Sequence, residues 1–306
     1  EARESDEVEA HDQIHLVRGW ARLTGRRKED AHVVEVAGSD GLVEVRAEHV
    51  IIAGGSRPIE IAIDGLPQDR TLTNENVFDL ADVPAAMVLV GGGVISLEMA
   101  TAFGDLGTRI DIVELQDRLI GHEDPMVSEA IRRALESRGV RIHTGTSINR
   151  FDENTRSAHL TNGSVIEEVD KVLIGIGRRP RLDGLGLQDA GIDFTPRGVV
   201  ADDWGRTSVN GIWAVGDITG NTLTTHGANA IGRRTVRAIA MPKLPKTGAV
   251  RAMANAVFSR PQIASVGVTE GQAKAAGTAV KIGRFPFRVN GKAVAAGEIE
   301  GFVKVI

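Results

Sequence analysis

The chain has 306 residues, 42% of them hydrophobic and 25% charged, enough for two or three domains with their own cores. A net charge of −5 and a pI near 6.0 exclude a generally basic, nucleic-acid-binding surface, and zero cysteines exclude disulfides, thiolate metal sites and a cysteine nucleophile within these residues. No apolar run reaches the length of a membrane span and no signal-peptide pattern appears, so the expectation is a soluble, cytoplasmic protein.

Residues 1–12 are acidic and polar and read as a frayed helix end or a disordered tail. Short alternating runs at 15–21, 32–36, 42–45 and 49–52, separated by turn residues, predict a β-meander. The apolar run 87–90 predicts a buried strand, Gly91-Gly92-Gly93 a tight turn, and the residues after it an apolar-periodic helix. A second strand, 109–113, then ends at Glu114. Asp124 is a good N-cap, and Pro125 suits the first helical position. Val127, Ala130, Ile131, Ala134 and Leu135 share one helical face, and Gly139 supplies the stop before a strand at 140–142. Strand–helix alternation of this kind predicts a parallel sheet covered on both faces. Further along, 212–215 predicts an apolar strand running into Gly216-Asp217, and 228–239 a helix. Residues 241–247, with two prolines and two lysines, read as a linker. Strands within 256–268 and 280–306, with a helical stretch at 272–276, predict a third, incomplete domain.

The chain also repeats itself. Gly41, Val50, Ile51, Ile52, Arg57 and Pro58 recur as Gly163, Val172, Leu173, Ile174, Arg179 and Pro180, each offset by 122 residues. In both copies a meander leads to an apolar strand, a small-residue turn and Arg-Pro. Two related α/β domains are predicted.

The strand, glycine turn and helix beginning at residue 87 carry the clearest chemistry. Free backbone N–H groups and the positive end of the helix dipole meet where a pyrophosphate can sit. Gly91 permits the turn, Gly93 lets phosphate approach the backbone, and Ser96 stands where a small residue allows close helix–strand packing. Glu114 lies where an acid can bond the adenosine ribose hydroxyls. The glycine spacing alone matches many ordinary turns. The whole unit with its acid points to a dinucleotide.

Three further runs extend the pattern, so that four stand in order: 51–58 (IIAGGSRP), the turn itself at 91–98 (GGGVISLE), 175–180 (GIGRRP) and 211–217 (GIWAVGD). Together they resemble the flavin-dependent pyridine nucleotide–disulfide oxidoreductases, the family of dihydrolipoamide dehydrogenase, mycothione reductase, glutathione reductase and mercuric reductase. The run 258–270 resembles the opening of that family's dimer-interface domain. The resemblance implies two Rossmann-like domains, FAD- and NAD-binding, with parallel sheets and β-meanders, plus a partial α+β dimerisation domain. It divides the chain into 1–60 and 181–248 for FAD, 61–180 for NAD, and 249–306 for dimerisation.

The resemblance also implies roles. Asp217, after Gly216, would bond the flavin ribityl chain; read alone it is a capping aspartate. Ala53 and Gly55 would pack on the flavin's adenosine part, and Gly54 stands where relatives usually carry threonine. His226-Gly227-Ala228 would lie along the flavin ring. Gly91, Gly93, Ser96 and Glu98 match the nicotinamide-dinucleotide fingerprint, with Glu98 near the nicotinamide end; read alone it is an exposed helix residue. Gly177 and Arg178 match a second Rossmann-like strand end. A carboxylate at 114 selects NAD over NADP, because it accepts from the 2′-hydroxyl and repels a 2′-phosphate. Arg118 is the one cation shortly after it, and it is expected to pair with Glu114 or Asp117.

The family's first flavin fingerprint, redox cysteine pair and histidine–glutamate pair are not among these residues, and both ends read as cut. No catalytic or metal-binding residue is therefore assigned. The expected activity is hydride transfer between NAD(H) and FAD and then to a small-molecule or protein-bound disulfide. Alternatives are a mycothione- or mercuric-reductase-like or quinone-reducing relative, and a non-catalytic NAD(H)-binding fragment. The expected partner is a second copy in a homodimer of the intact protein, with neither nucleic acid nor membrane.

Overall fold

A computed structural model describes residues 11–221, 223–243 and 253–306. Most of the predicted tail and residues 244–247 of the predicted linker lie outside the described residues. The chain divides into two units: Glu1–Arg57 with Arg179–Ala249, and Pro58–Arg178 with Val250–Ile306. The helices are α1 (Val94–Asp105), α2 (Pro125–Ser137), α3 (Thr225–Ala240) and the short α4 (Glu270–Ala275) and α5 (Gly291–Ala296).

The second unit is built on a five-stranded sheet in the order Thr71–Leu72, Lys171–Ile174, Ala86–Val90, Arg109–Glu114, Arg141–Thr144. Every pairing is parallel. Strand Ala86–Val90 is buried along its whole length, as a strand covered on both faces must be. Met87 and Leu89 face one side with Ile110, Ile112 and Leu173, where Leu97 and Phe103 of α1 and Ile131 and Leu135 of α2 cover them. Val88 and Val90 face the other side, with Val113, Val172 and Ile174, against Phe151, Ala158, Leu160 and Ile166. That second cover is a three-stranded antiparallel meander, Ile148–Asp152, Ser157–Leu160 and Val165–Ile166. The Asp124 side chain caps α2 by accepting from the Met126 amide at 3.0 Å, a contact of about 1 kcal/mol.

In the same unit, residues 253–306 form two antiparallel pairs, Ala254–Val257 with Ile263–Val266 and Gly283–Pro286 with Phe302–Val305. The strands expected within 256–268 and 280–306 are thus present, but neither stretch is strand throughout. The first contains a turn, and the second contains α5, whose Asn290 cap and Gly297 stop fold a local helix out of an alanine-rich run.

The first unit opens with a meander, Trp20–Lys28, Ala31–Gly38 and Gly41–Ala47. The strand expected at 15–21 begins instead at Trp20 and runs to Lys28. Its Arg26 and Lys28 are carried by cross-strand partners, Glu35 at 2.6 Å and Glu44 at 2.6 Å respectively. Next, Val50–Ile52 pairs in parallel with Ile212–Ala214. Their core is Leu23, Ile52, Leu187, Ile192, Val199, Ile212, Ala214 and Ile218. Helix α3 starts earlier than its apolar period, because the Thr224 side chain accepts from the Gly227 amide and caps it. Each copy of the 122-residue repeat thus carries a three-stranded meander followed by a parallel strand.

Candidate functional site

The predicted residues form two clusters, one in each unit. In the second unit, strand Ala86–Val90 ends in the glycine turn. Gly91 has φ +98°, and a Cβ there would stand 2.7 Å from the Gly175 carbonyl oxygen, so a side chain is excluded on both counts. Gly92, given no role of its own in the sequence reading, is crowded by side chains instead: a Cβ would stand 2.6 Å from Leu119 Cδ2 and 3.1 Å from Glu114 Oε2. Gly93 is the N-cap of α1, and no side chain caps that helix. Its first-turn amides and dipole are left for an anion.

Glu114 closes strand Arg109–Glu114 beside this turn. Its carboxylate accepts from the amides of Gly92 and, at 2.6 Å, Gln116. A carboxylate has about four acceptor positions, so a ribose diol can still bond here. Arg118 does not pair with Glu114 or Asp117, which corrects the expectation. Its guanidinium donates to the Glu123 carbonyl at 2.9 Å, to Ser128 Oγ at 2.9 Å and to the Gly121 carbonyl. The backbone of the next turn thus occupies the cation nearest in sequence to Glu114.

Ser96 is fully buried, and a Cβ on Gly175 would meet its Oγ at 2.7 Å. The hydroxyl has no hydrogen-bond partner. A buried hydroxyl without a partner is costly, so Ser96→Ala is expected to raise stability by about 1 kcal/mol in urea denaturation. A variant less stable than the parent would refute this.

Glu98 is half-buried, and its Oε1 accepts from the Phe258 amide at 3.0 Å. One turn on, Thr101 Oγ1 accepts from the Arg260 amide at 3.3 Å, and Asp105 pairs with the Arg260 guanidinium at 3.0 Å. This face of α1 therefore docks residues 258–260. Gly177, at φ +123°, accepts at its carbonyl from the Ile59 amide at 3.0 Å, and Arg178 opens the short strand Arg178–Pro180.

In the first unit, Ser56 Oγ donates to Asp217 Oδ2 at 2.5 Å across 161 residues of sequence. Ser56 is a second residue missed by sequence, since nothing local marks a partner that distant. Gly216 has φ +72°, and a Cβ there would stand 3.2 Å from Ala228 Cβ, so strand end and helix α3 meet at closest approach. The Ile52 carbonyl accepts from Val215 N at 3.0 Å, and the Gly55 carbonyl from Arg181 N at 3.1 Å. Ala53 and His226 are exposed beside them. At Gly54 a Cβ would make only ordinary contacts, 3.5 Å or more, so glycine is not sterically required there.

A third polar group lies in the second unit. Lys304 Nζ is 2.5 Å from Asp124 Oδ2 and 2.6 Å from Glu270 Oε2, with the lysine side chain 7% exposed. Hydrogen bonds from Lys274 and then Lys304 hold the Glu270 carboxyl at about 2. Burial would raise the Asp124 pKa, but the Lys304 and Met126 bonds outweigh it and leave it lowered. Burial would likewise lower Lys304, and its two carboxylate partners leave it raised. Among the described residues no group of three or more histidine, cysteine or acidic side chains is arranged to hold a metal, and no helix is long and apolar enough to cross a membrane.

The sequence profile described as "Pyridine nucleotide-disulphide oxidoreductase" matches residues 3–237, and the dimerisation-domain profile of the same family matches 253–306. Dihydrolipoyl dehydrogenase of Bacillus subtilis is 34% identical over 301 residues, covering 96% of this chain and 63% of that enzyme. Dihydrolipoyl dehydrogenase of Chlorobaculum parvum is 37% identical over 305 residues, with the same coverage. The chain thus spans just under two thirds of the length of these relatives. The solved structure of LpdA from Mycobacterium tuberculosis is similar at a TM-score of 0.86 and 27% identity, covering 99% of this chain and 67% of that one. The Escherichia coli flavoprotein disulfide reductase RclA, in a Cu(II) complex, shares the fold at a TM-score of 0.88 and 24% identity, covering 99% and 68%. A profile spanning most of the chain, relatives above 30% identity and the same two-unit α/β architecture agree: the chain belongs to the pyridine nucleotide–disulfide oxidoreductase family.

Proposed function

We propose that the chain carries the cofactor-handling part of an FAD-dependent oxidoreductase that passes hydride between NAD(H) and flavin, then to a disulfide-type acceptor, as dihydrolipoamide dehydrogenase does. The observation that carries this reading is the Glu114 carboxylate, seated against the Gly92 amide beside the uncapped N-terminus of α1. The amides at the start of α1 take the pyrophosphate, and Glu114 takes the adenosine ribose. The same carboxylate repels a 2′-phosphate, and Arg118 is committed elsewhere, which favours NAD over NADP. In the first unit, Asp217 is oriented by Ser56 and stands at the end of a parallel strand, where a polyol chain can donate to it. The close approach of Gly216 to Ala228 brings the strand end that carries Asp217 up to helix α3. When bound, the two cofactors supply the hydride chemistry, and the protein supplies position and charge. The 253–306 stretch supports a homodimer of the intact protein, and the family's habit supports a cytoplasmic location.

The second reading is a non-catalytic NAD(H)-binding module, which the Glu114 carboxylate and the uncapped start of α1 would serve without flavin. A visible absorption spectrum, repeated after anaerobic addition of NADH, separates the two. Bound flavin that bleaches with NADH supports the oxidoreductase. NADH binding without flavin or turnover supports the binding module. No binding of either cofactor refutes both. Sedimentation velocity on the full-length protein checks the dimer, which a monomer would contradict.

A further inference from the structure

Ile120 has φ +39°, the left-handed region, which a β-branched residue adopts only when its surroundings force it. It is 2% exposed, so the strained residue is locked inside the second unit. Three sets of contacts do the locking. The Ile120 amide donates to the Gly92 carbonyl at 2.8 Å. Ser128 Oγ, buried in α2, donates to the Leu119 carbonyl at 2.7 Å. Arg118 donates to that same Ser128 oxygen at 2.9 Å and to the carbonyls of Gly121 and Glu123.

The Gly92 carbonyl and the Gly93 amide belong to one peptide plane. In a trans peptide they point in opposite directions. Fixing the carbonyl inward on Ile120 therefore fixes the Gly93 N–H outward. That N–H donates to no group among the described residues. The preceding plane is fixed in the same way, by the Gly92 amide on Glu114.

We propose that residues 118–120 form a strained brace that aims the Gly93 amide at the dinucleotide phosphates, with Arg118, Ile120 and Ser128 as positioning residues. The proposal rests on the dinucleotide reading above. None of the three needs to touch the ligand. The left-handed turn at Ile120 is what brings its amide under the Gly92 carbonyl, and strain of this kind persists where neighbours over-determine it. Ser128 is the hinge pin, since its single hydroxyl holds the start and the middle of the brace.

The test uses Ser128→Ala and Arg118→Lys in the full chain. Ser128→Ala removes the pin at a position without access to ligand. Arg118→Lys keeps the charge and loses the planar fork that reaches three acceptors. Both variants are expected to raise the NADH dissociation constant about tenfold in a fluorescence titration, the equivalent of one lost hydrogen bond to a charged group. Both are also expected to shift the Gly93 amide resonance in ligand-free ¹⁵N spectra, which a merely structural loss of stability would not do. If both variants bind NADH as the parent does and leave the Gly93 resonance in place, the brace is overturned. If Arg118→Lys alone retains parental affinity, Arg118 acts through charge and its place in the brace is overturned. A parent chain that binds no NADH overturns the dinucleotide reading and this inference with it.

Discussion

Gly91→Ala is expected to abolish measurable NADH binding and to cost about 2–4 kcal/mol of stability. Two separate costs fall on one methyl group. The backbone at φ +98° lies outside the regions that L-residues favour. The new Cβ would also stand 2.7 Å from the Gly175 oxygen and 3.0 Å from its carbonyl carbon, both backbone atoms that cannot swing aside as a flexible side chain could. Relief requires strands Ala86–Val90 and Lys171–Ile174, neighbours in the sheet, to part at the end where the phosphate is proposed to sit. An NADH titration and a urea denaturation curve measure the two effects. An alanine variant that matches the parent in both would show that the turn is not built as described.

Lys304→Met is expected to cost about 3 kcal/mol of stability. Among the described residues the lysine is the one cation paired with the Asp124 carboxylate, and its loss leaves that acid, the cap of α2, facing Glu270, which keeps Lys274 at 2.6 Å. Removing one partner of a buried ion pair costs far more than the pair contributes. The loss falls on the contact between α2 and strand Phe302–Val305, so hydrogen exchange should speed up in that strand before the central sheet is affected. A variant with parental exchange rates in Phe302–Val305 would contradict this. The pH dependence follows with its sign. Glu270 and Asp124 are held below their ordinary values of 4.5 and 3.8, so their contribution is complete above about pH 5 and is lost as the pH falls towards 2. Lys304 is raised above 10.5, so its contribution is complete below that value and is lost only in stronger base. Stability of this contact is therefore expected to be flat between about pH 5 and 10 and to drop on the acid side.

Much of the fold was legible because its signals are local. Strand Ala86–Val90 is apolar throughout, its turn is three glycines, and α2 announces itself by Asp124, Pro125 and a one-sided apolar face. The meander strand Trp20–Lys28 was misplaced because its charges are satisfied by Glu35 and Glu44 on later strands, and alternation in one segment cannot show that. The site divides in the same way. Gly91, Gly93 and Glu114 were readable from spacing. Gly92 could have been found, since a carboxylate at the strand end needs a donor in the turn. Ser56 could not, because its partner Asp217 is remote in sequence. The commitment of Arg118 to carbonyls of the 121–123 turn was equally hidden, since an arginine beside two acids reads as their ion-pair partner until the turn's path is known.

The bond between the Ile59 amide and the Gly177 carbonyl has a consequence for the order of folding. The first unit is discontinuous: its parallel pair Val50–Ile52 and Ile212–Ala214 joins segments on either side of the Pro58–Arg178 part of the second unit. Closing an unstructured loop of roughly 120 residues costs about 4 kcal/mol of chain entropy. Once the Pro58–Arg178 segment has folded, the bond between its two ends has already closed that loop. The flanking halves then meet as if they were near neighbours in the chain. Folding should therefore proceed from the inserted unit outward. Pulse-labelled hydrogen exchange would register this as protection of Ala86–Val90 ahead of Val50–Ile52.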